Sequence, residues 1–458
     1  MLVPLVATIG TPAAKLYNEG FNAYHAFRAA AGETLYTGDP YRLVNYPFIS
    51  FYLVAGLKPI FGDVLMIGRA LNLLGLAGIL LFGALILRLL GGGALEIALT
   101  LACLLGFQIA QAAAWIGSDE PQMLAQALSL AGLACYLKPP APSPFRLAGV
   151  SLLVMLGLFI KPIVIAIPIA IAIDLLSRDR RHFLIWCVSL AVAALLLSWM
   201  SMLIAGGNFL PEILASRFYH WNDVAHGSRK FLRALYAPIL VAVIVLMMPK
   251  RHPHSRLLIA WGAVSLLAGI FGSGGDGVSA NAFLEVAVFL SIIAGWAFAN
   301  FRHHWVGAIL PIVVALPILI RLPHTLEEIR HPQDEAAVEA DFARASAFLR
   351  DRPGPALCEN LLVCLRAGKP LVVDPFNAHA QVLTGRIGED ELIAWIKARR
   401  FSAIELDSEL APDPADPNRV IAHSLTLGRF TQGELKAIQD SYAPALRASG
   451  IIYLPRGT

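Results

Sequence analysis

Residues 145 to 176 read FRLAGVSLLVMLGLFIKPIVIAIPIAIAIDLL, an apolar run that carries Lys161 and Pro162 near its middle and ends near Asp174. Proline interrupts a helix because it lacks a backbone N–H and clashes with the preceding turn. The run is therefore either one long membrane span or a hairpin of two short ones. We expect the hairpin, because only then do the basic connections on both sides of the run lie on one face of the membrane.

The rest of the chain is equally apolar. Of its 458 residues, 57% are hydrophobic and only 15% are charged, and the mean hydropathy is +0.65. A single water-soluble core cannot bury that much apolar surface. Residues 2 to 14 are a candidate for a short first span, and ten longer candidates follow at about 64–87, 93–115, 121–137, 147–160, 162–176, 183–205, 234–248, 257–271, 282–300 and 305–320. The sequence thus predicts an α-helical polytopic membrane protein with about 10 to 11 transmembrane helices.

Basic residues cluster in alternate connections between these spans. The clusters are Arg88, then Lys138 and Arg146, then Arg178, Arg180 and Arg181, then Lys250, Arg251 and Arg256, then Arg302. Because basic connections stay in the cytoplasm, we expect the long first loop (15–63) and the tail after Arg321 to be extracytoplasmic. We expect the inner (plasma) membrane, with the lipid bilayer as a partner. This topology also explains the net charge of +4, so no nucleic acid partner is expected.

After Pro323 the chain becomes charged and alternates helical with strand-like pieces, which divides it into a membrane domain (1–323) and a C-terminal domain (324–458). The amphipathic stretch QDEAAVEADFARASAFLRD opens this second domain. Strands are predicted at PALCEN, KPLVVDP, FSAIELD and GIIYLP, with helices near 389–399 and 432–448, so we expect a small extracytoplasmic α/β domain. It has no phosphate-binding loop motif, and we expect a lid or packing role without chemistry of its own.

Cys358 and Cys364 lie in that exported domain, where an oxidising compartment permits a disulfide. Their spacing alone does not establish the required geometry, so free thiols are the alternative.

Two acidic motifs lie at the outer ends of spans. Glu19 is in the first external loop, where its carboxylate either faces an outward cavity or stabilises the start of a helix. In the same loop, Phe21, Tyr24, Phe27 and Tyr46 are expected to lie along the membrane interface. Asp119 and Glu120 lie in GSDEPQMLAQAL. Ser118 is the predicted cap of a helix that starts there, and the two acids are alternatively a site for a metal or for sugar hydroxyls.

Other outer segments carry weaker signals. The glycine-rich loop GSGGDGVSANAFLE is either a flexible turn or a cradle for a phosphate. Outer cations that suit a lipid phosphate or the lipid headgroups include Arg69, Lys161 and Arg217. Lys161 interrupts an apolar hairpin, so we expect its side chain to face the protein interior or a cavity.

Four pieces of the chain, between residue 17 and about residue 165, resemble the C-type membrane glycosyltransferases, which include protein mannosyltransferases and lipid A aminoarabinose transferases. The pieces are YNEGFNAYHA, LVNYPFISFYLVAGL with GDVLMIGRALNLL, GSDEPQMLAQALSLAGL and the FIKP hairpin. The resemblance implies an inverting glycosyltransferase that uses a polyprenyl-phosphate sugar as donor. The implied acceptor is an envelope glycolipid, polysaccharide or protein on the extracytoplasmic face.

The resemblance also implies roles for particular residues. The first acidic motif falls on Asn18 and Glu19, so Glu19 would be the general base, with Asp39 in reserve because Asn18 stands where the family has Asp. Asp119 and Glu120 would orient a sugar or hold a divalent cation, whose use varies within the superfamily. Lys161 and Arg69 would bind the lipid phosphate.

Two other classes of protein remain open. A transporter or lipid flippase has the same composition, although no internal repeat with broken helices in both halves is visible here. A ligase or scaffold subunit with the same fold would tolerate the loss of Glu19. Transfer of a labelled sugar that depends on Glu19 would distinguish the enzyme from both.

Overall fold

The structure is a computed structural model that describes residues 8–215, 217–233, 235–248, 253–278, 280–301, 303–330, 335–416 and 419–457. Residues 1–7 of the candidate first span and the basic residues Lys250, Arg251 and Arg302 lie outside the described residues. Residues 8–10 form a short 3-10 turn.

The N-terminal part is built from helices, most of them apolar. Their bounds are α1 Tyr17–Ala30, α2 Ile49–Phe61, α3 Val64–Leu89, α4 Ala94–Ala112, α5 Gln122–Leu137, α6 Pro144–Leu158, α7 Ala166–Arg178, α8 Arg180–Ala205, α9 Phe209–Ile213, α10 Trp221–Leu232, α11 Tyr236–Met247, α12 Ser255–Gly272, α13 Leu284–Phe301 and α14 Trp305–Arg330. Each of the ten longer span candidates coincides with one of these helices. The prediction of an α-helical polytopic membrane fold is confirmed.

Length and hydropathy divide the apolar helices into two groups. Within the described residues, four stretches are long and apolar enough to cross a membrane, and they are Val64–Leu89, Arg180–Ala205, Ser255–Gly272 and Ala280–Phe301. Six apolar helices are shorter, α6 among them. Short helices that pack against longer neighbours, as α6 does against α8, satisfy their backbone internally and can lie at membrane depth.

The predicted hairpin at Lys161 and Pro162 is present. Helix α6 ends at Leu158 and α7 begins at Ala166, so the apolar run forms two helices. The backbone N–H of Lys161 donates to the carbonyl of Gly157 in a last helical hydrogen bond of 2.9 Å. Pro162 has no N–H with which to continue that pattern, which explains the break.

The long first loop (15–63) folds back into the protein. Helix α1 packs against α2 and α3, and Phe21 and Tyr24 are buried in that interface. The expectation that these two rings lie along the membrane interface is therefore wrong. Phe27 is 40% exposed, so only the outward face of α1 follows the amphipathic pattern of the sequence.

The C-terminal domain is a small α/β layer. Its elements are α15 Glu335–Arg350, β1 Ala356–Cys358, α16 Leu361–Arg366, α17 Pro375–Leu383, α18 Asp390–Lys397, β2 Ala403–Leu406, β3 Ala411–Pro412, β4 Val420–Ile421, α19 Ser424–Leu427, α20 Gln432–Ser441, β5 Tyr442–Arg447 and β6 Ile451–Pro455. The main sheet has the order β1-β2-β6-β5, in which β1 and β2 are parallel and the other pairs are antiparallel.

Two details of this domain differ from the sequence prediction. The stretch KPLVVDP is not a strand, since the N–H of Asp374 bonds to the carbonyl of Tyr41 in the membrane domain and its carboxylate caps α17. The predicted helix at 432–448 ends at Ser441, and its second half is strand β5. Pairing of β5 with β6 overrides the local helical pattern.

Cys358 and Cys364 form a disulfide that joins the end of β1 to α16. Helix α16 packs against α1, and Gly20 of α1 lies so close that an added Cβ would be 2.7 Å from the backbone nitrogen of Leu362. The disulfide-bonded turn therefore forms part of the contact between the two domains.

We expect Gly20→Ala to lower the midpoint of thermal unfolding, because its methyl group would collide with backbone that cannot move aside. The control is Gly56→Ala in α2, where an added Cβ meets nothing within 4 Å. Alanine is more favourable than glycine inside a helix, so this control should raise stability, by up to about 1 kcal/mol. Equal midpoints for the two purified variants would contradict the tight contact between α1 and α16.

We also expect a pH-dependent contribution from Glu434, a buried residue that accepts a 2.9 Å hydrogen bond from the Thr431 N–H. Burial raises its pKa from 4.5 to about 7. Its contribution to the free energy of unfolding should thus fall as pH rises from about 4.5 to about 7, and then stay constant. Glu434→Gln keeps the hydrogen-bond acceptor but does not titrate. The unfolding midpoint of the variant minus that of the wild type should therefore be larger at pH 8 than at pH 5. A difference that does not change with pH would refute this.

Candidate functional site

A buried ion pair joins the first loop to α3. The Arg69 Nε donates to Oε1 of Glu19 at 2.7 Å, and an Nη2 hydrogen donates to Oε2 at 2.8 Å. Both side chains are fully buried. A two-pronged pair of this kind is the strongest form of the arginine–carboxylate interaction.

The remaining donors of Arg69 bind backbone carbonyls. Nη1 donates to Ile9 and Thr11, at 3.0 and 2.5 Å, and Nη2 also donates to Ala13 at 2.8 Å. All five N–H groups of the guanidinium are therefore in use. The side chain is enclosed by protein and all its donors are used within the protein, and its predicted role toward the lipid phosphate stays a prediction.

The carboxylate of Glu19 is equally enclosed. Besides Arg69, its oxygens accept hydrogen bonds from the backbone N–H groups of Lys15, at 2.6 Å, and Asp119, at 2.7 Å. Glu19 lies in the first turn of α1, as the helix-start interpretation predicts. The side chain faces protein, which corrects the expectation that it faces an outward cavity.

The second acidic motif lies directly beside Glu19. Helix α5 begins at Gln122, and Ser118 donates to the carbonyl of Trp115 at 3.0 Å, so Ser118 is not the predicted cap. The carbonyl of Asp119 accepts from Asn22 Nδ2 at 2.5 Å. Burial raises the pKa of the Asp119 carboxyl well above its usual range, and the neighbouring charges of Glu19 and Glu120 raise it further.

Glu120 connects this group to the hairpin. Its carboxylate forms a buried ion pair with Lys161 Nζ and accepts a 3.3 Å hydrogen bond from Asn18 Nδ2. Its carbonyl accepts from Asn72 Nδ2 at 2.7 Å. The structure thus brings together Glu19, Arg69, Asp119, Glu120 and Lys161, which we call the buried charge network.

Asp39, the reserve candidate, lies outside this network. Its Oδ1 accepts from the Tyr41 N–H at 2.9 Å, and its Oδ2 pairs with Arg42 Nε at 2.8 Å. Asp39 therefore caps the short 3-10 turn at Pro40–Arg42.

A cavity of about 810 Å³ lies between the membrane domain and the C-terminal domain. Among the predicted catalytic, sugar-binding and phosphate-binding residues, Lys161 alone lines the cavity. Asn18, which bonds to Glu120 of the buried charge network, also lines it. Other polar lining residues are Tyr17, Asn45, Tyr46, Arg217, Asp276, Asn281, Glu285, Asp374, Asn377 and Arg429. Apolar side chains such as Ile163, Ile165 and Phe271 complete the wall.

Two cations of the cavity share one aromatic ring. Lys161 Nζ lies 4.8 Å from the centre of the Tyr46 ring, and the guanidinium carbon of Arg217 lies 5.6 Å from it. Arg217 also donates to the carbonyl of Asn45 at 3.2 Å. In the sequence Arg217 is one of several outer cations, and its place in the wall depends on the fold.

The C-terminal domain contributes charged side chains to the roof of the cavity. Tyr17 donates to Asp374 at 3.2 Å, and the Arg429 guanidinium lies 4.0 Å above the Tyr17 ring. Arg429 is held by Glu359 at 2.7 Å and Asp407 at 2.6 Å. Burial and the neighbouring Asp407 charge raise the pKa of Glu359 to about 7. Sequence reasoning missed these residues because their roles depend on contacts across the domain boundary.

The glycine-rich loop and the first turn of α13 after it supply two further carboxylates. Asp276 and Glu285 both line the cavity, and both belong to the stretch that the sequence left open as a turn or a phosphate cradle. Gly277, at a φ of +71°, lies against the ring of Phe376 in the C-terminal domain. In the sequence, the signal for Asp276 and Glu285 was the presence of acidic residues in a glycine-rich stretch.

Within the described residues, no group of three or more His, Cys, Asp or Glu side chains is placed so that it could hold a metal ion. The predicted role of Asp119 and Glu120 toward a divalent cation stays a prediction.

No protein-family model matches the sequence, and no curated protein matches it. Two solved structures are similar over nearly the whole chain. Both are of ArnT from Cupriavidus metallidurans, one bound to undecaprenyl phosphate (TM-score 0.62, 13% identity, 99% of this chain and 96% of that chain) and one in the apo state (0.63, 12%, 99% and 96%). The resemblance to C-type membrane glycosyltransferases is thereby confirmed at the level of the fold.

We expect Arg69→Met to destabilise the protein by about 3–5 kcal/mol, because it leaves the buried Glu19 carboxylate without its partner. The double variant Glu19→Gln with Arg69→Met should lose much less than the sum of the two single changes. Thermal unfolding of the purified variants would measure both effects.

The control for this prediction is Arg42→Met, which breaks a partly exposed pair with Asp39 and should cost at most about 1 kcal/mol. Similar unfolding midpoints for Arg69→Met and Arg42→Met would contradict the importance of the buried pair.

Proposed function

We propose that this protein is a glycosyltransferase that moves a sugar from a polyprenyl-phosphate donor to an envelope acceptor at the extracytoplasmic membrane face. The fold similarity to ArnT supports this class of enzyme, and the undecaprenyl phosphate bound to ArnT supports a lipid phosphate as part of the donor. The sugar and the acceptor are not specified by these observations.

The observation that carries the proposal is the composition of the cavity. Lys161 and Arg217 lie on the ring of Tyr46, while Ile163, Ile165 and other apolar side chains form part of the same wall. An anionic head with an apolar tail fits such a wall, since the cations attract phosphate and the apolar side chains accept hydrocarbon. We therefore propose Lys161 and Arg217 as the phosphate-binding residues.

The proposed chemistry is a displacement at the anomeric carbon. The acceptor hydroxyl attacks from the face opposite the phosphate, which inverts the anomeric centre, and a carboxylate takes the hydroxyl proton. Cations in a water-poor cavity stabilise the phosphate as it leaves.

The buried charge network positions this chemistry in the proposal. Glu19, which the resemblance implies as the base, acts instead as a positioning residue, because its lone pairs bind Arg69 and two backbone N–H groups. Glu120 does not line the cavity, and it orients the side chains of Lys161 and Asn18, which do.

The proposed location is the inner membrane, with the C-terminal domain outside the cytoplasm. The disulfide between Cys358 and Cys364 supports an oxidising compartment for that domain. The basic connections support the same orientation.

We expect Lys161→Met to weaken binding of undecaprenyl phosphate by at least about tenfold and to reduce sugar transfer, because a charged contact to phosphate is lost. Binding would be measured with purified protein in nanodiscs. Transfer would be measured from a panel of labelled polyprenyl-phosphate sugars to total envelope acceptors.

The control is Lys58→Met, which removes a lysine that lies 4.5 Å from the Phe27 ring, outside the cavity. It should bind and transfer as the wild type does. A wild-type protein that neither binds the lipid phosphate nor transfers any sugar would contradict the proposed function and favour a transporter.

A further inference from the structure

Three carboxylates line the described part of the cavity, namely Asp276, Glu285 and Asp374. The oxygens of Asp374 are occupied, since Oδ1 accepts from Tyr17 and from the Asn377 N–H and Oδ2 accepts from Asn377 Nδ2 at 2.7 Å. Asp374 therefore has a structural role in the roof.

Glu285 is different, because its Oε1 lacks a hydrogen bond of normal geometry, although its carboxylate lies near the indole N–H of Trp261. The residue is only 8% exposed, and its Oε1 is buried without a hydrogen-bond partner in the structure. A buried polar atom without a partner carries an energetic cost, and the residue that bears this one lines the cavity, where a ligand can contact its carboxylate. Asp276, in contrast, is only partly buried and lies at the glycine-rich rim.

The position of Glu285 relates it directly to the proposed phosphate site. Its carboxylate lies next to the backbone N–H groups of Ala166 and Ile167, at the start of α7. Lys161 precedes this point by five residues on the same connection. The segment from 161 to 166 therefore carries the proposed phosphate-binding lysine at one end and lies next to the Glu285 carboxylate at the other. Both side chains belong to residues that line the same cavity.

The acids of the buried charge network do not line the described cavity, although Oδ2 of Asp119 is also buried without a hydrogen-bond partner. Glu19 is neutralised by Arg69, and Glu120 by Lys161. Asn18, which stands where the related family has an acid, has no basic oxygen at neutral pH. A carboxylate that is desolvated and free of a cation is the more basic one.

We propose that Glu285 is the general base of the transfer reaction, an inference that rests on the proposed function. The acceptor oxygen forms a bond to the anomeric carbon while the bond from that carbon to the phosphate oxygen breaks. The acceptor proton goes to the carboxylate of Glu285. The electron pair of the broken bond leaves with the phosphate, whose charge Lys161 and Arg217 stabilise.

The test compares Glu285→Gln with Glu96→Gln. Glu96 is a matched control, since it is also a buried glutamate in the first turn of an apolar helix, and it does not line the cavity. We expect Glu285→Gln to lower kcat by about 100-fold or more, the range of general-base catalysis. Binding of undecaprenyl phosphate and the unfolding midpoint should stay unchanged. The control should transfer at the wild-type rate.

A second variant separates a base from a structural residue. Glu285→Ala leaves space for a small carboxylate, so added formate should raise its transfer rate at least about tenfold, whereas Glu19→Ala should gain nothing. Formate would supply the missing proton acceptor at the same place.

Three results would overturn the inference. Glu285→Gln could keep more than a third of the wild-type kcat. It could lose lipid-phosphate binding or thermal stability together with activity, or formate could fail to raise the Glu285→Ala rate. Each of these leaves the proposed function intact, whereas a wild-type protein without transfer from any donor overturns both.

Discussion

The buried ion pair between Glu19 and Arg69 is the interaction on which the surrounding architecture depends. It joins the first turn of α1 to α3, and through the Asp119 N–H it fixes the connection before α5. Two buried charges are costly to desolvate, and only a geometry that satisfies all their donors and acceptors offsets that cost. Here every N–H of the Arg69 guanidinium is satisfied, by Glu19 and by three carbonyls of residues 9–13. The pair thus fixes the one arrangement in which these segments meet.

The two domains form one site because the first loop contacts both. Helix α1 packs against α3 of the membrane domain and against the disulfide-bonded α16 of the C-terminal domain. Tyr17, at its start, is bound by Asp374 and covered by Arg429 of the C-terminal domain. The C-terminal domain therefore supplies charged side chains to the cavity, which is more than the packing role expected from its sequence.

The structure separates the acids that hold the site together from the one that is free to react. Glu19 and Glu120 each pair with a cation, which explains why these strong motifs face protein while Asn18 and Lys161 face the cavity. Among the carboxylates that line the described cavity, the one with a buried, unpartnered oxygen is Glu285, in the first turn of α13 directly after the glycine-rich loop. The acidic motifs that stand out in the sequence therefore include residues that hold the site together as well as residues proposed to react.

The sequence by itself determined the apolar helices, the hairpin at Lys161 and the change to an α/β region near the C-terminus. Apolar length, proline and charge composition act locally and can be counted along the chain. It also identified the acids and cations of the buried charge network, because charges at span ends are rare. Only the tertiary structure decided that Arg69 binds Glu19, and that Arg217, Glu285 and Arg429 share a cavity. Their partners lie far apart in the sequence, so pairing depends on how helices pack, which no local pattern encodes.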